Sequence, residues 1–255
     1  MLNFIKQNKE NYLQITVLGY WGAYPAAGEA TSGYLFQDRN TNILLDCGSA
    51  VLSELQKHIE ISNLDAVILS HYHADHVADI HCLQYAVMLE SLQHKRDRNL
   101  PIYAYSKHSQ FESLTFEDYT EGIALREESE IAIGDFSFSF IKTVHPEICM
   151  AVKITHYGKT AVYTADTEYF DKLTDFSRYA DILLCEASLY REYEGKVEGH
   201  MSGAQAGKLA AEADVGALLL THLPRYGNHE RLREEAGEYY RGNITLARTA
   251  LKIRL

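Results

Sequence analysis

The chain has 255 residues, of which 46% are hydrophobic and 23% charged, and its formal net charge is −11. A chain of this length fits one α/β domain, and no Pro/Ser-rich linker divides it, so we predict a single domain over residues 1–255. The acidic balance disfavours a large nucleic-acid partner, because proteins that bind phosphate backbones usually carry a basic surface.

The sequence shows no export or membrane signal. The segment MLNFIKQNKENY at the start lacks the apolar run of a signal peptide, and no run of about 18 apolar residues occurs. The cysteines Cys47, Cys82, Cys149 and Cys185 form no CxxC pair. We therefore expect a cytoplasmic protein without membrane contact, whose cysteines are free thiols in the core.

Apolar periodicity predicts the elements of the N-terminal half. In chain order these are a strand at 14–19, a hairpin over 31–47, a helix over 50–59, a strand at 65–70, a helix over 77–92 and a strand at 101–105. The strand at 65–70 leads directly into the segment HYHADH, which precedes the second helix.

In the C-terminal half, the alternation FSFSFI predicts one half-buried strand within residues 131–144. The other predicted elements are a hairpin over 151–164, strands at 181–185, 216–221 and 243–247, and helices over 203–213 and 229–240. Strand runs with helices between and after them favour two sheets flanked by helices. Both hairpins end in an aspartate, Asp46 and Asp166, which hints at an internal duplication.

The strongest functional signal is the run His71-Tyr72-His73-Ala74-Asp75-His76, directly after an apolar strand. Neutral imidazole and carboxylate are usual ligands of zinc, manganese and iron. At the end of a buried strand, the alternate residues His71 and His73 can point towards one metal, while Asp75 and His76 can face a second. The alternative is a histidine-rich surface loop, which this placement between strand and helix disfavours.

Two metal shells need further ligands, and the ends of later strands supply candidates. His145 follows the alternating strand and precedes Pro146, Asp166 follows AVYTA, and His222 follows GALLLT. The carboxylate of Asp166 would suit a bridge between two cations. Isolated histidines are more typical of surface or core positions, and these are His58, His81, His94, His108, His156 and His229.

Over the whole chain, this motif series resembles the metallo-β-lactamase superfamily. The resemblance implies an αββα sandwich, in which two mixed β-sheets are flanked by helices. It also implies two divalent metal ions, with zinc expected and manganese the alternative. The implied ligands are His71, His73 and His145 for the first metal, Asp75, His76 and His222 for the second, and Asp166 between them. Asp46 would orient the ligand loop without binding metal.

Three C-terminal motifs resemble the tRNase Z-like branch: CEASLY, GHMSGAQAGKLAAEA and LLLTHLPRY. By this resemblance Glu186 and His200 form a second catalytic pair, in which His200 contacts the phosphate or protonates the leaving oxygen. The tRNA enzymes usually insert a tRNA-gripping arm between the ligands that match His145 and Asp166, where this chain has only about twenty residues. The better match is therefore to small stand-alone YhfI-type bacterial hydrolases, and a homodimer is expected by analogy.

We predict a dinuclear metal-dependent hydrolase that cleaves a small or cyclic phosphodiester substrate. The metals would activate a water for attack on phosphorus, and Asp75 would accept the remaining proton while it binds metal. Three alternatives stay open. They are a tRNase Z-type RNA 3′ endonuclease, a thioester or lactone hydrolase of the same fold, and a non-catalytic metal-binding scaffold.

Overall fold

The first of two facing β-sheets is built mainly from the N-terminal half. The computed structural model describes residues 12–255, and the strands of this sheet are β1 (Gln14–Gly19), β2 (Gly33–Gln37), β3 (Asn42–Leu45), β4 (Ala66–Ile68), β5 (Leu100–Tyr105), β6 (Thr120–Leu125) and β14 (Lys252–Arg254). Their order is β14-β1-β2-β3-β4-β5-β6. The pairs from β14 to β3 are antiparallel, and those from β3 to β6 are parallel.

The second sheet repeats this arrangement with C-terminal strands. Its members are β7 (Glu130–Ile133), β8 (Phe136–Lys142), β9 (Met150–His156), β10 (Lys159–Tyr163), β11 (Ile182–Glu186), β12 (Ala217–Thr221) and β13 (Asn243–Leu246). Their order is β13-β12-β11-β10-β9-β8-β7. In each sheet, an antiparallel hairpin that ends before an aspartate is followed by a parallel strand.

Helices cover the outer faces of both sheets. They are α1 (Val51–Leu55), α2 (Ala74–Val77), α3 (Ile80–Leu92), α4 (Asp171–Ser177), α5 (Gly203–Glu212) and α6 (His229–Gly237). The first three follow strands of the first sheet and the last three follow strands of the second. A capping box fixes the start of α5, because Ser202 accepts from the backbone N–H of Gln205 and the Gln205 side chain accepts from the N–H of Ser202.

Strand alternation divides the core into layers. In β3, Ile43 and Leu45 lie in the buried cluster that both sheets share, together with Phe138 of β8. Leu44 points to the other face and packs with Val87 of α3 in a second buried cluster. The strands of the inner layers are therefore buried on both faces, and the expected αββα sandwich is confirmed.

Two predicted elements have different boundaries in the structure. The half-buried strand predicted from FSFSFI within residues 131–144 is confirmed as β8, but Ile131 to Ile133 belong to the separate antiparallel strand β7, and Gly134, at φ 57°, lies in the turn between them. The apolar alternation changes phase across this turn, from odd-numbered positions in β7 to even-numbered positions in β8. The helix predicted over 77–92 is preceded by the short helix α2 and begins at Ile80, and the predicted helix over 50–59 extends only from Val51 to Leu55.

Short elements were missed by the sequence analysis. Strands β6 and β14 and helix α4 lie in segments with weak or no periodicity. The prediction that all four cysteines lie in the core is wrong for Cys82, whose side chain faces solvent on α3. Within residues 12–255, no helix is long and apolar enough to cross a membrane.

A buried polar contact links the two sheets away from the strand ends described below. In the turn after β2, Asp38 accepts hydrogen bonds of 2.7 Å from the backbone N–H groups of Asn40 and Thr41, and its other oxygen lies 3.0 Å from His156 Nε2 of the second sheet. Burial raises the pKa of Asp38, but these hydrogen bonds outweigh burial and hold the pKa below its usual value.

We expect Asp38→Asn to lower the free energy of unfolding at pH 7 by about 1–3 kcal/mol, because His156 loses a charged partner. Because the pKa of Asp38 is lower in the folded state, its ionised carboxylate stabilises the protein fully above the unfolded-state pKa of about 3.9. This stabilisation is lost as the pH falls through the folded-state pKa of Asp38. The difference between wild type and variant should therefore shrink below about pH 4. Urea unfolding at several pH values, with the exposed Asp97→Asn as control, measures this. A difference that is independent of pH would contradict it.

Candidate metal centre

Four strand ends meet at one edge of the sandwich. The segment HYHADH follows β4, and its last residues form the first turn of α2, whereas His145 follows β8, Asp166 follows β10 and His222 follows β12. Because residues at the ends of buried strands are held by the sheet, their side chains converge in a fixed arrangement. The structure brings together all seven residues that the sequence predicts as metal ligands.

The first group of donors consists of His71, His73, His145 and Asp166, whose donor atoms all lie within 4.8 Å of one another. The Nε2 atom of His145 lies 3.3 Å from Nδ1 of His73, and His71 Nε2 lies 3.7 Å from Asp166 Oδ2. Two ligands of a tetrahedral zinc ion with bonds of about 2.0–2.1 Å lie about 3.3–3.4 Å apart. These separations fit donors around one cation.

The second group consists of Asp75, His76 and His222. The Nε2 atoms of the two histidines are 3.3 Å apart, and His222 Nε2 is 3.1 Å from Asp75 Oδ2. Asp166 also reaches this group. Its Oδ1 atom lies 3.4 Å from His76 Nε2, and its Oδ2 atom lies 3.4 Å from His222 Nε2. Asp166 is therefore the carboxylate that both groups share.

Hydrogen bonds on the far side of the rings orient the histidines towards the centre. The Nδ1 atom of His76 lies 2.8 Å from Asp46 Oδ2, and that of His145 lies 3.0 Å from the carbonyl oxygen of Gly199. His222 Nδ1 lies 2.7 Å from the hydroxyl of Ser188. A ring that donates from Nδ1 keeps its Nε2 lone pair for a metal. His73 differs, since its Nδ1 faces the centre.

Unsatisfied buried atoms and buried charge both fit a cation at this place. Within the described part of the chain, His71 Nε2 and Asp166 Oδ1 are buried without a hydrogen-bond partner, which is costly for polar atoms. Burial raises the pKa of Asp166, but the charges of His222 and His76 outweigh burial and hold it well below its usual value. Burial lowers the pKa of His76, whereas the charges of Asp166 and Asp46 hold it well above the usual range. The ionised carboxylates thus require positive charge between them.

Asp46 supports this centre from behind. Its carboxylate is fully buried and accepts hydrogen bonds from Ser70 N–H at 2.8 Å, Ser70 Oγ at 2.9 Å and Tyr163 Oη at 3.0 Å, besides its contact with His76. Asp46 thereby ties the strand end before His71 to the second sheet. Asp46 belongs to neither donor group and contacts the second group only through the far side of His76.

Glu186 and His200 form a pair at the border of the centre. His200 Nδ1 lies 3.1 Å from Glu186 Oε1, and Glu186 is fully buried, where it also accepts from the N–H of Thr167 and the hydroxyl of Ser188 at 2.7 Å each. The imidazole also borders the centre, since a ring nitrogen of His200 lies within 4.8 Å of donor atoms of Asp166 and His222. Burial lowers the pKa of His200, but Glu186 outweighs burial and raises it to about 9.

The segment after β1 closes one side of the centre. The backbone N–H of Ala23 donates to Asp75 Oδ2 at 2.8 Å. Gly22 packs directly on His222, and a Cβ atom at this position would lie 2.9 Å from the imidazole ring. Glycine is needed here because the backbone must approach this close.

The fold and the site together define a metal-dependent hydrolase of the metallo-β-lactamase fold. The chain belongs to the beta-lactamase superfamily domain family, whose model matches residues 41–223. Among curated proteins, it is 45% identical over 238 residues to the probable metallo-hydrolase YhfI of Bacillus subtilis, which covers 93% of this chain and 98% of the relative.

Solved structures agree with this assignment. The crystal structure of the metallo-β-lactamase fold protein YhfI from Bacillus subtilis superposes with a TM-score of 0.94 at 44% identity, covering 96% of this chain and 100% of that one. A diphosphatase from the PhnP family has a TM-score of 0.77 at 19% identity, covering 96% and 97% of the two chains. The human tRNase Z short form has a TM-score of 0.72, also at 19% identity, with coverage of 94% and 98%. At these lower identities, only the fold is shared.

Some supporting residues were not identified from the sequence. Ser188, which joins Glu186 to His222, lies within the motif CEASLY, and Tyr163, which holds Asp46, lies within AVYTA, but the sequence assigned neither of them a role. The same holds for Ala23, which contacts Asp75 through its backbone. These contacts depend on chain segments that are distant in sequence and meet only in the folded protein.

We expect Asp46→Asn to weaken metal binding by roughly 10–100-fold, because His76 loses the carboxylate that fixes its tautomer and orientation. Asparagine tolerates the backbone φ of 59° at this position, so the fold should persist. Competition with a chromophoric chelator measures the affinity, and circular dichroism checks the fold. Asp79→Asn, next to α3, is the control. An unchanged affinity in Asp46→Asn would show that Asp46 does not orient the ligands.

Proposed function

We propose that this protein is a phosphodiesterase that cleaves a small or cyclic phosphodiester with two bound divalent cations. The observation that carries the proposal is the Glu186–His200 pair. It lies outside the seven-donor cluster, yet its imidazole reaches the edge of the cluster. A hydrolase needs a group there that is not occupied by metal and can give a proton to a departing oxygen.

The two donor groups supply a place for each cation. His71, His73 and His145 would bind the first, and Asp75, His76 and His222 the second, with Asp166 bridging. Zinc suits this imidazole-rich set, and manganese is the alternative. Two such cations would lower the pKa of a bound water to about 7 and would offset charge on phosphoryl oxygens.

His200 would supply the proton for the leaving group. Glu186 holds Nδ1–H, so in the protonated ring the proton available for transfer would be the one on Nε2. As the bond between phosphorus and the leaving oxygen breaks, this proton passes to that oxygen, and the ring is left neutral. Glu186 keeps the imidazole in place and stabilises its charged form before transfer. Asp75 stays our candidate for accepting the proton of the attacking water.

The surroundings of the centre favour a small substrate. Between His145 and Asp166 the chain forms only the tight hairpin β9–β10, with its turn at Tyr157 and Gly158, and no long arm projects there. A net charge of −11 also disfavours contact with a long phosphate backbone. Both features support a substrate that fits within the site over a precursor RNA.

A substrate panel tests the reaction class. With zinc or manganese added, bis(p-nitrophenyl) phosphate and nucleoside 2′,3′-cyclic phosphates should be cleaved with kcat/KM well above those for a thioester, a lactone and nitrocefin. A precursor tRNA should be trimmed poorly, because the chain has no gripping arm between β9 and β10. Efficient thioester or lactone turnover without phosphodiesterase activity would overturn the proposal.

A set of variants separates metal binding from proton transfer. His200→Ala should lower turnover of phosphodiesters by roughly 10²–10⁴-fold, the usual scale for acid–base assistance, while the metal content stays at two ions per chain. The double variant His71→Ala/His73→Ala should lose metal and activity together. Metal analysis and turnover are measured on the same samples, with the exposed His81→Ala as control. Near wild-type activity in His200→Ala would remove the main support for the proposal.

A further inference from the structure

Exposed aromatic rings and an arginine form a continuous rim beside the second donor group. This tyrosine–arginine rim consists of Tyr24, Arg225, Tyr226 and Tyr193. Tyr24 is 60% exposed, Tyr226 49% and Tyr193 39%. The ring centroids of Tyr193 and Tyr226 lie 6.2 Å apart. Tyr24 follows Ala23, whose N–H binds Asp75, and Arg225 lies three residues beyond His222. The rim therefore borders the metal centre.

Arg225 is held by aromatic stacking without an acidic partner. Its guanidinium carbon lies 4.4 Å from the Trp21 ring centroid and 5.7 Å from that of Tyr24. Among residues 12–255, no carboxylate oxygen lies within 4.0 Å of its nitrogens, and its buried Nε has no hydrogen-bond partner. In an acidic protein, a guanidinium kept free of carboxylates beside an active centre is suited to an anionic ligand.

Hydrogen bonds hold the backbone of the segment 224–227, which carries Arg225 and Tyr226. Tyr190 Oη donates to the carbonyl oxygen of Tyr226 at 3.0 Å, and His229 Nε2 lies 2.7 Å from the carbonyl oxygen of Pro224. Gly227 adopts φ 78°, where a Cβ would lie 2.2 Å from Tyr190 Oη, so only glycine permits this turn. Such contacts fix the backbone that presents Arg225 and Tyr226. Preorganisation lowers the entropy cost of binding.

We propose that the tyrosine–arginine rim recognises a nucleotide, so that the substrate is a phosphodiester of a nucleoside. Tyr24 stacks on the base, and Arg225 binds a non-reacting oxygen of the phosphate while the scissile bond faces the metal centre. This inference rests on the proposed phosphodiesterase function and adds the substrate class. Flat exposed rings favour a nucleobase over an aliphatic alcohol, because base–aromatic stacking stabilises binding whichever base is present.

Trp21 offers a readout that does not need catalysis. It is the single tryptophan of the chain and lies directly beneath Arg225, so a ligand on the rim should change its fluorescence. We expect saturable titration with adenosine 5′-monophosphate, and roughly tenfold or weaker binding of ribose 5-phosphate, which lacks the base. Tyr24→Ala should remove the difference in affinity between the two ligands, and Arg225→Gln should weaken the binding of both. Equal affinity of wild type for the two ligands would overturn the inference.

Kinetics distinguish this inference from the proposed function. Wild type should prefer adenosine 2′,3′-cyclic phosphate over glycerol 1,2-cyclic phosphate, and Tyr24→Ala should lower that ratio of kcat/KM roughly tenfold, mainly through KM. Arg225→Lys should retain only part of the wild-type kcat/KM, because lysine keeps the positive charge but cannot stack as the planar guanidinium does. Tyr179→Ala and Arg178→Gln, at exposed positions directly after α4, are matched controls.

Failure of each idea gives a different pattern. If wild type cleaves both cyclic phosphates but the rim variants behave like the controls, the rim is not a recognition site and the phosphodiesterase proposal stands. If wild type cleaves neither, the phosphodiesterase proposal fails, and the nucleoside phosphodiester substrate fails with it. If wild type cleaves neither cyclic phosphate but still binds adenosine 5′-monophosphate more tightly than ribose 5-phosphate, the rim binds nucleotides without serving a phosphodiesterase.

Discussion

The convergence of buried donors on Asp166 constrains the rest of the structure. Its two oxygens lie within 3.4–3.7 Å of nitrogens from His71, His76 and His222, which come from both sheets. Buried carboxylates and imidazoles cannot be stable at such separations unless positive charge lies between them. A cation, or protons in its place, therefore holds the two sheets together at this edge. Folding and metal binding are coupled through the same atoms.

Two residues that follow strands at this edge, Asp46 and His222, have left-handed backbone conformations. Asp46 and His222 are non-glycine residues with φ of 59° and 50°, in a region that such residues seldom adopt. Each is fixed by contacts that outweigh the strain: Asp46 by Ser70 and Tyr163, and His222 by Ser188. Sparsely populated conformations persist where the surroundings determine them, and they cluster at functional sites. Of these two residues, His222 is itself a candidate metal donor, and Asp46 contacts the donor His76.

The donor set was predictable from the sequence because each ligand follows a strong apolar strand. Periodicity located those strands, and residue type supplied the candidate ligands. The αββα sandwich and the division of the seven donors between two metals were implied by the resemblance to the metallo-β-lactamase superfamily. The short strand β14 and helix α4 were missed because their stability comes from tertiary packing. The turn at Gly134 is a local feature that was not predicted, although the apolar alternation changes phase there. The contacts of Ser188 and Ala23 depend on segments that are far apart in the chain.

The two sheets contribute differently to function. Metal donors come from both, whereas Glu186 is the last residue of β11, and His200 and most of the rim come from the loops after β11 and β12 of the second sheet. The net charge of −11 repels an anionic substrate, so attraction must be local. Under the proposed function, bound cations, His200 with its pKa raised to about 9, and the guanidinium of Arg225 would supply that attraction along one border of the centre. Changes in these loops can therefore alter substrate choice while the donors on the strand ends, and the chemistry they support, stay the same.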